Sequence, residues 1–403
     1  MPPRPRPDIL AAAHDEIRVM TREAKRLQAI NLAQGAGDLP VLPAAVDRAV
    51  GALRGGQHGY SIREGRVELR EAIARRCAAV AGVEADPETC VVVTAGAVGA
   101  YAAALGALLS AGDGVLLCEP FFTFHRVPAV VAGLEVHAVR RPAPGFRLEE
   151  GALRAALRPR TRAVVVCTPC NPSGHVMDAE EIEALARVAV ERDLLVLSDE
   201  VYAEYVYGGA VHRSPAAHPA LRDRTVLLGS LSKTFHVTGW RIGWAVAPAP
   251  LAEAIKVSNN AHIGCAPVPL QLGAVAALEA GAEYFQGLRR EAHGKRDALA
   301  DGLRALGATP YPGEGGCFLL ADVRALGYPS SREAAMALLH DAGVSAAPGP
   351  AFYLGGGGGD LLRFGFGVSR EVVDRAAAAL AGARGRLRKE GAHLGWPAPS
   401  GGG

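Results

Sequence analysis

A lysine flanked by hydroxyl side chains is the first group in this sequence that could do chemistry. The 403-residue chain has only five lysines among its 43 basic residues, so arginine is its usual cation. Lys233 nevertheless stands beside Ser230 and Ser232, and Arg241 follows eight residues later. Lysine can be deprotonated when it is desolvated and can form a Schiff base, whereas arginine cannot. The segment therefore indicates a nucleophilic amine with anion-binding groups around it.

Other candidate groups follow short apolar segments that are typical of strands. Asp199 and Tyr202 come after one of them, where a buried carboxylate needs a partner, although a helix cap is the alternative role. Asn171 lies in a turn and offers an amide that can donate or accept. Gly96 and Ala97 open a helix whose backbone N–H groups could bind a phosphate, although a tight turn needs glycine anyway.

Aromatic side chains follow a further strand, and one of them could stack on a planar ring. Phe122 is the candidate, with Phe121 and Phe124 as alternatives, and such aromatics are more often part of the core. The combination is more specific than any part of it. A phosphate cradle, a stacking ring, an amide, a carboxylate, a phenol, a lysine and an arginine together describe a site for pyridoxal 5′-phosphate (PLP).

These groups must be positioned by a sheet whose strand ends meet at one edge. Strand-like segments alternate with helix-length ones such as 179–192, which is typical of a mostly parallel sheet that binds ligands beyond its carboxyl ends. The predicted strands are 91–93, 115–118, 163–167, 194–198, 225–228 and 242–247. After residue 278 the pattern changes to a smaller α+β domain. Its predicted elements are helix 284–306, strand 315–323, helix 331–342, strand 361–368 and helix 370–388.

Three motifs together resemble the fold type I aminotransferases of class I and II. They are Ser-x-Ser-Lys with its arginine, Asp-x-x-Tyr at 199–202, and Asn-Pro-x-Gly at 171–174. The resemblance extends from about residue 31 to 380, and the segments 119–122 and 265–271 are similar to the kynurenine, glutamine and methionine branch. It implies an α/β fold with a large domain, built on a mostly parallel seven-stranded sheet, and a smaller α+β domain. The expected bounds are 1–45 for an N-terminal arm with part of the small domain, 46–284 for the large PLP-binding domain, 285–392 for the small domain, and 393–403 for a disordered tail.

The resemblance also implies a role for each candidate residue. Lys233 would hold PLP as an aldimine, and its freed amine would move the Cα proton. Asp199 would keep the pyridine nitrogen protonated, and Asn171 and Tyr202 would hydrogen-bond the ring oxygen. Phe122 would stack on the ring. The phosphate would be bound by Gly96, Ala97, Ser230, Ser232 and Arg241, and Tyr60 would reach the phosphate of the other subunit of a homodimer with shared active sites.

On the substrate side, Arg363 would clamp the α-carboxylate, with Asn171 and the segment containing Gly35 beside it. Val98 stands where some aspartate-specific members carry lysine, and no arginine for a second carboxylate is evident. The resemblance therefore implies transfer of the amino group of a neutral or aromatic L-amino acid to a 2-oxo acid, by ping-pong kinetics. The runner-up is a PLP enzyme of the same fold with a lyase, cyclase or oxidase outcome.

Composition excludes several other classes of function. A net charge of +2 gives no reason to expect a nucleic-acid partner, and residues 1–40 are too short for an added DNA-binding domain. Residues 90–112 carry no charge, but Thr-Ala-Gly at 94–96 interrupts them, which favours strand, turn and helix over a membrane span. Seven scattered cysteines and the lack of a leader predict a cytoplasmic protein. Cys167 and Cys170 are too few for a metal site, and core packing is favoured over redox sensing.

Overall fold

The computed structural model describes residues 4–12, 16–34, 39–387 and Trp396. Its α-helices are α1 Pro7–Ala12, α2 Glu16–Arg26, α3 Pro43–Arg54, α4 Val67–Ala81, α5 Gly96–Leu108, α6 Arg126–Val131, α7 Glu150–Ala156, α8 Ala179–Glu191, α9 Leu231–Thr234, α10 Ala249–Ile263, α11 Val268–Leu278, α12 Ala282–Leu306, α13 Ser331–Ala337 and α14 Arg370–Gly382. Its strands are β1 Ile30–Asn31, β2 Val91–Thr94, β3 Gly114–Glu119, β4 Glu135–Arg140, β5 Thr161–Cys167, β6 Leu195–Asp199, β7 Thr225–Ser230, β8 Gly243–Val246, β9 Thr309–Tyr311, β10 Phe318–Asp322, β11 Val344–Ser345, β12 Ala347–Pro348 and β13 Leu361–Gly365.

Seven strands form the central sheet of the large domain, in the order β2-β8-β7-β6-β5-β3-β4. The pairs from β7 through β4 are parallel, and β8 runs antiparallel to both of its neighbours. The predicted α/β class and mostly parallel seven-stranded sheet are confirmed. Parallel strands end at one edge, so the residues that follow β3, β5, β6 and β7 are brought together there.

Helices cover both faces of this sheet, which is why its strands are continuously apolar. Val91 and Val93 of β2 pack in one cluster with residues of α4 and α11, while Val92 packs in another with α5 and α10. Each of the three valines is at most 1% exposed. Burial on both faces explains a run of three β-branched residues without the polar alternation of a half-exposed strand.

The smaller domain packs helices on a four-stranded antiparallel sheet of order β12-β13-β10-β9. Leu299 and Leu303 of α12 share a core with Leu380 of α14 and with Phe364 of β13. Leu32 from the N-terminal segment joins the same core, beside the short parallel pair of β1 and β11. The smaller α+β domain predicted from the sequence is thus present.

Most element predictions hold, with adjusted bounds. The helix expected over 331–342 is α13 followed by a π-helical turn at Leu338–Ala342, and the last helix ends at Gly382, before residue 388. The uncharged segment 90–112 is β2, a turn and α5. In the described ranges, no helix is long and apolar enough to cross a membrane. The segment 393–403, predicted to be a disordered tail, lies outside the described residues apart from Trp396, whose ring centroid is 5.6 Å from the Arg332 guanidinium.

Candidate active site

The ends of four parallel strands and the start of α5 surround a cavity of about 300 Å³. Most of the residues predicted from the sequence line it. They are Ala97, Phe122, Asn171, Asp199, Tyr202, Ser230, Ser232, Lys233 and Arg241. Five of the groups from which a PLP site was predicted line this one cavity: an amine, a carboxylate, a phenol, an amide and an arginine.

Asp199 ends β6 inside this cavity and is almost fully buried. Its Oδ2 lies 2.8 Å from Nε2 of His125, and its Oδ1 accepts a long bond of 3.3 Å from the N–H of Val201. His125 is itself held from behind, because the Tyr101 hydroxyl donates to its carbonyl at 2.9 Å. The carboxylate therefore has a fixed orientation before any ligand is present.

Lys233 lies in the four-residue helix α9, which follows β7 directly. Ser230 caps this helix, since its Oγ accepts the N–H of Ser232 at 2.9 Å. The Tyr205 hydroxyl donates to the Lys233 carbonyl at 2.9 Å, which fixes the backbone under the amine. Burial lowers the pKa of Lys233, and the charges of Arg363 and Arg241 act in the same direction. The shift is toward the neutral amine, the form that can act as nucleophile and base, although the charges of Cys317 and Asp199 oppose it.

The start of α5 and Arg241 form a cradle from which side chains are excluded. Gly96 has φ +74°, and a Cβ placed on it would lie 2.4 Å from Nη2 of Arg241. A Cβ on Gly243 would lie 2.4 Å from the carbonyl carbon of Gly96. Arg241 donates to the carbonyls of Thr238 at 3.0 Å and of Ala95 at 3.1 Å, so its guanidinium is held over the first turn. Among the described residues no side chain caps α5, which leaves its first N–H groups for an anion.

Arg363 approaches the same edge from β13 of the smaller domain and is 1% exposed. Its Nη1 donates to Oδ1 of Asn171 at 3.0 Å and its Nη2 donates to the carbonyl of Ala33, while Nε has no partner among the described residues. Phe318 and Phe352 lie against the guanidinium, with ring centroids 4.3 and 4.8 Å away. Burial lowers the pKa of Arg363 to about 10. A buried, partly unpaired guanidinium is a binding group for a carboxylate.

Tyr202 and Phe122 complete the walls. Tyr202 is 2% exposed and packs edge-on against Phe318, and burial raises the pKa of its hydroxyl well above the usual value. The phenol therefore keeps its proton and can donate it in a hydrogen bond. Phe122 lines the cavity above the edge of His125, with which it makes a T-shaped contact at 5.5 Å. Its partly exposed face is available for stacking.

Four predicted residues do not line the cavity. Gly96 and Arg363 adjoin it, because a Cβ on Gly96 would meet the lining Arg241 and Arg363 donates to the lining Asn171. The other two are not brought there. Tyr60 is 93% exposed and does not line it. Gly35 lies outside the described residues. Conversely, His125 and Tyr101, which line the cavity behind Asp199, were not predicted from the sequence. His125 directly follows the aromatic segment. A histidine a few residues after the end of a strand is the sequence feature that could have indicated its place in the site.

The chemical groups around the cavity fit PLP. A cradle that any Cβ would fill suits a phosphate, and Asp199 lines the same cavity as Arg241 of that cradle and Lys233. The buried Nε of Arg363, which has no partner in the part of the chain that the structure describes, suits a substrate carboxylate. In the described ranges, no cluster of three or more metal-ligating side chains occurs. Fold and site together define a PLP-dependent enzyme of fold type I.

Comparison with known proteins narrows this class to a family. Residues 28–380 match the family model described as aminotransferase class I and II. A probable N-succinyldiaminopimelate aminotransferase of Mycobacterium tuberculosis is 39% identical over 339 residues, 83% of this chain and 84% of that protein. The methionine aminotransferase of Escherichia coli is 33% identical over 329 residues, 82% of this chain and 85% of that protein.

Solved structures agree with the sequence matches. An Escherichia coli structure identified with a methionine aminotransferase function superposes with a TM-score of 0.90 at 31% identity, covering 94% of this chain and all of that one. The N-succinyldiaminopimelate aminotransferase structure from M. tuberculosis gives 0.89 at 36% identity, covering 93% and 98%. The chain belongs to the class I and II aminotransferase family and is a PLP-dependent aminotransferase.

Proposed function

We propose that this aminotransferase takes a neutral or aromatic L-amino acid as donor and a 2-oxo acid as acceptor, in two half-reactions at one site. The observation that carries the proposal is the buried contact between Arg363 and Asn171, a residue that lines the same cavity as Lys233. A single guanidinium there suits the α-carboxylate that amino acids and 2-oxo acids share. Alternating use of one site by two substrates gives ping-pong kinetics.

The chain's own residues divide the chemistry between them. PLP, when bound, supplies an aldehyde and a pyridine ring that withdraws electrons from the substrate Cα. Lys233 Nζ takes the Cα proton and returns it, and burial lowers the pKa of this amine, which favours its role as base. Asp199, oriented by His125, stabilises positive charge on the ring nitrogen. Tyr202 and Asn171 donate to the ring oxygen, and Arg241 binds the phosphate.

The donor class follows from the cavity walls. Beyond the groups assigned to the cofactor, to Asp199 and to the α-carboxylate, the walls are Val98, Phe124, Cys167, Val201 and Thr238. Among the lining residues that the structure describes, no further arginine or lysine is available for a second carboxylate. Apolar and aromatic walls favour an uncharged side chain.

The quaternary proposal is a homodimer with shared sites. Tyr60 and Ile62 are 93% and 56% exposed, and Leu53 and Val257 are also exposed apolar side chains on the large domain. Burial of this surface by a second copy would bring Tyr60 to the other subunit's phosphate cradle. The seven cysteines are all free, which suits the reducing cytoplasm that we propose as the location. We also retain the bounds 46–284 and 285–392 for the two domains.

The function is tested by mixing the PLP-loaded enzyme with one amino acid and no acceptor. Conversion of the bound cofactor to its amine form, with release of one equivalent of 2-oxo acid, supports the proposal. Donors should include methionine, phenylalanine, arginine, aspartate and N-succinyldiaminopimelate, the last of which one relative's name specifies. A preference for aspartate would refute the donor class. Product formation with the cofactor left in its aldehyde form would favour a lyase, cyclase or oxidase.

The role of Lys233 has its own test. Borohydride reduction of the loaded protein, followed by peptide mass spectrometry, should show the cofactor on the peptide that contains residue 233. The Lys233→Ala protein should show no adduct. An adduct on Lys256 or Lys295 instead would contradict the assignment.

A further inference from the structure

Arg141 is a buried cation for which the structure provides no carboxylate. It follows β4 and is 4% exposed. Its Nε donates to the carbonyl of Glu119 at 3.3 Å, and its Nη2 lies 2.7 Å from the carbonyl of Pro120 and 3.0 Å from that of Cys118. Within the described ranges, no Asp or Glu oxygen lies at ion-pair distance from it. A guanidinium cannot lose its proton in a protein, and a buried charge without a counter-charge is costly.

The remaining partner of Arg141 is a thiol. Sγ of Cys170 lies 3.3 Å from the same Nη2, and Cys170 is completely buried. Cys170 sits in the turn after β5, one residue before Asn171. A thiolate at this position would supply the missing negative charge, whereas a neutral thiol would leave the cation uncompensated.

We propose that Cys170 is a thiolate that forms a buried ion pair with Arg141, and that this pair positions Asn171 and, through it, Arg363. The second half of the proposal rests on the proposed function, because it assigns Arg363 to the substrate carboxylate. The first half concerns the protein alone. Arg141 and Cys170 are positioning residues, since neither touches the cavity.

The ion pair reaches Arg363 by two routes. On one side, Asn171 follows Cys170 in the chain and accepts from Nη1 of Arg363 at 3.0 Å. On the other side, Arg141 fixes the carbonyls of residues 118–120. The next N–H, that of Phe121, donates to the carbonyl of Phe352 at 3.0 Å, and the Phe352 ring lies 4.8 Å from the Arg363 guanidinium. Displacement of the pair would therefore move two of the groups that hold the carboxylate clamp.

Most of the groups facing Cys170 favour the charged form. The neighbouring Cys167 and the Arg141 charge lower the pKa of Cys170, whereas burial raises it, and the Pro120 carbonyl oxygen, 3.7 Å from Sγ, is the acceptor that a neutral thiol would use. Cys167 keeps its proton, because its pKa is raised by the neighbouring Cys170 sulfur and by burial, and its Sγ donates to the Pro169 carbonyl at 3.4 Å. Burial also raises the pKa of Cys118 to about 11 and that of the Tyr353 hydroxyl, so neither adds a charge. One thiolate, two thiols and one guanidinium leave the cluster neutral overall.

Infrared absorption of the S–H stretch tests the protonation state directly, since thiolates do not absorb there. The PLP-loaded wild type is compared with Cys170→Ser and, as the matched control, with Cys77→Ser, another buried cysteine, whose pKa burial raises to about 12. We expect the control to lose one S–H band and Cys170→Ser to lose none. Arg141→Met should gain a band, because a thiolate without its cation takes up a proton. Loss of a band in Cys170→Ser, or no new band in Arg141→Met, would overturn the thiolate.

The positioning half is tested by a double-mutant cycle on the loaded enzyme. Cys170→Ser should raise the KM for both the amino acid and the 2-oxo acid by about 10- to 100-fold with a smaller change in kcat, because the carboxylate clamp is displaced. The combined variant Arg141→Met, Cys170→Ser should raise the KM by less than the product of the two single effects, because both charges are removed together. Strictly additive effects, or unchanged KM values, would refute the positioning role. The infrared result is independent of turnover, so a failure of the proposed function is distinguishable from a failure of the ion pair.

Discussion

Replacement of Gly96 by alanine tests whether the start of α5 and Arg241 form the phosphate site. Gly96 has φ +74°, where alanine is strained by about 1–2 kcal/mol. The new Cβ would also lie 2.4 Å from Nη2 and 2.9 Å from Cζ of Arg241, so the guanidinium must move. Its charge-assisted bonds to a phosphate are each worth about 1.5–3 kcal/mol. Loss of one such bond weakens PLP binding by about 10- to 150-fold.

The control must reproduce the backbone strain without the contact. Gly343 has φ +66° and no atom within 4 Å of an added Cβ, so Gly343→Ala carries the same conformational cost away from the cavity. The dissociation constant of PLP is measured by titrating each cofactor-free variant, and its free energy of unfolding by urea. Both variants should be destabilised, but Gly96→Ala alone should bind PLP more weakly. Wild-type affinity in Gly96→Ala would refute the cradle.

Three further predictions concern the acid, the clamp and pH. Asp199→Asn should lower kcat at least about 100-fold while PLP still binds, as single-turnover kinetics would show; an unchanged rate would remove Asp199 from the mechanism. Arg363→Lys should raise the KM for both substrates about 10- to 100-fold, with exposed Arg324→Lys as the neutral control, because the planar fork is lost. Burial lowers the pKa of His236 to about 4 from 6.5, so the unfolded chain binds more protons between those values and stability rises with pH across that window. His236→Gln should flatten this rise, about 3 kcal/mol in urea titrations; an unaltered pH profile would contradict it.

The candidate site was largely predictable because its residues follow strands that the apolar pattern reveals. Asp199 ends a buried strand, Lys233 and Asn171 stand three and four residues after the ends of two others, and parallel strands end at a common edge. The α/β fold was also predictable, because its buried strands are continuous apolar segments that alternate with helix-length ones. The spacing of the three motifs then predicted PLP as the cofactor.

Other parts of the structure left no comparable signal. β4, Glu135–Arg140, was not predicted, because it is an edge strand in which only Val139 is buried. The antiparallel direction of β8 depends on the crossover before it, which hydrophobic periodicity does not encode. His125 reaches Asp199 across 74 residues, and Arg141 reaches Cys170 across 29, through folding alone. Tyr60 remains a prediction, since a single chain leaves it at the surface.

The helix α12 has a mechanical consequence for any closure of the two domains. At 1.5 Å per residue its 25 residues extend about 37 Å. Phe285, in its first turn, packs in the core beside the large-domain sheet, whereas Leu299 and Leu303 pack in the core of the smaller domain. One continuous rod is thus anchored in both bodies. A domain rotation that moved Arg363 toward a substrate must bend α12 or pivot it about Phe285. A rotation of a few degrees about Phe285 would displace the C-terminal end of α12 by several ångströms.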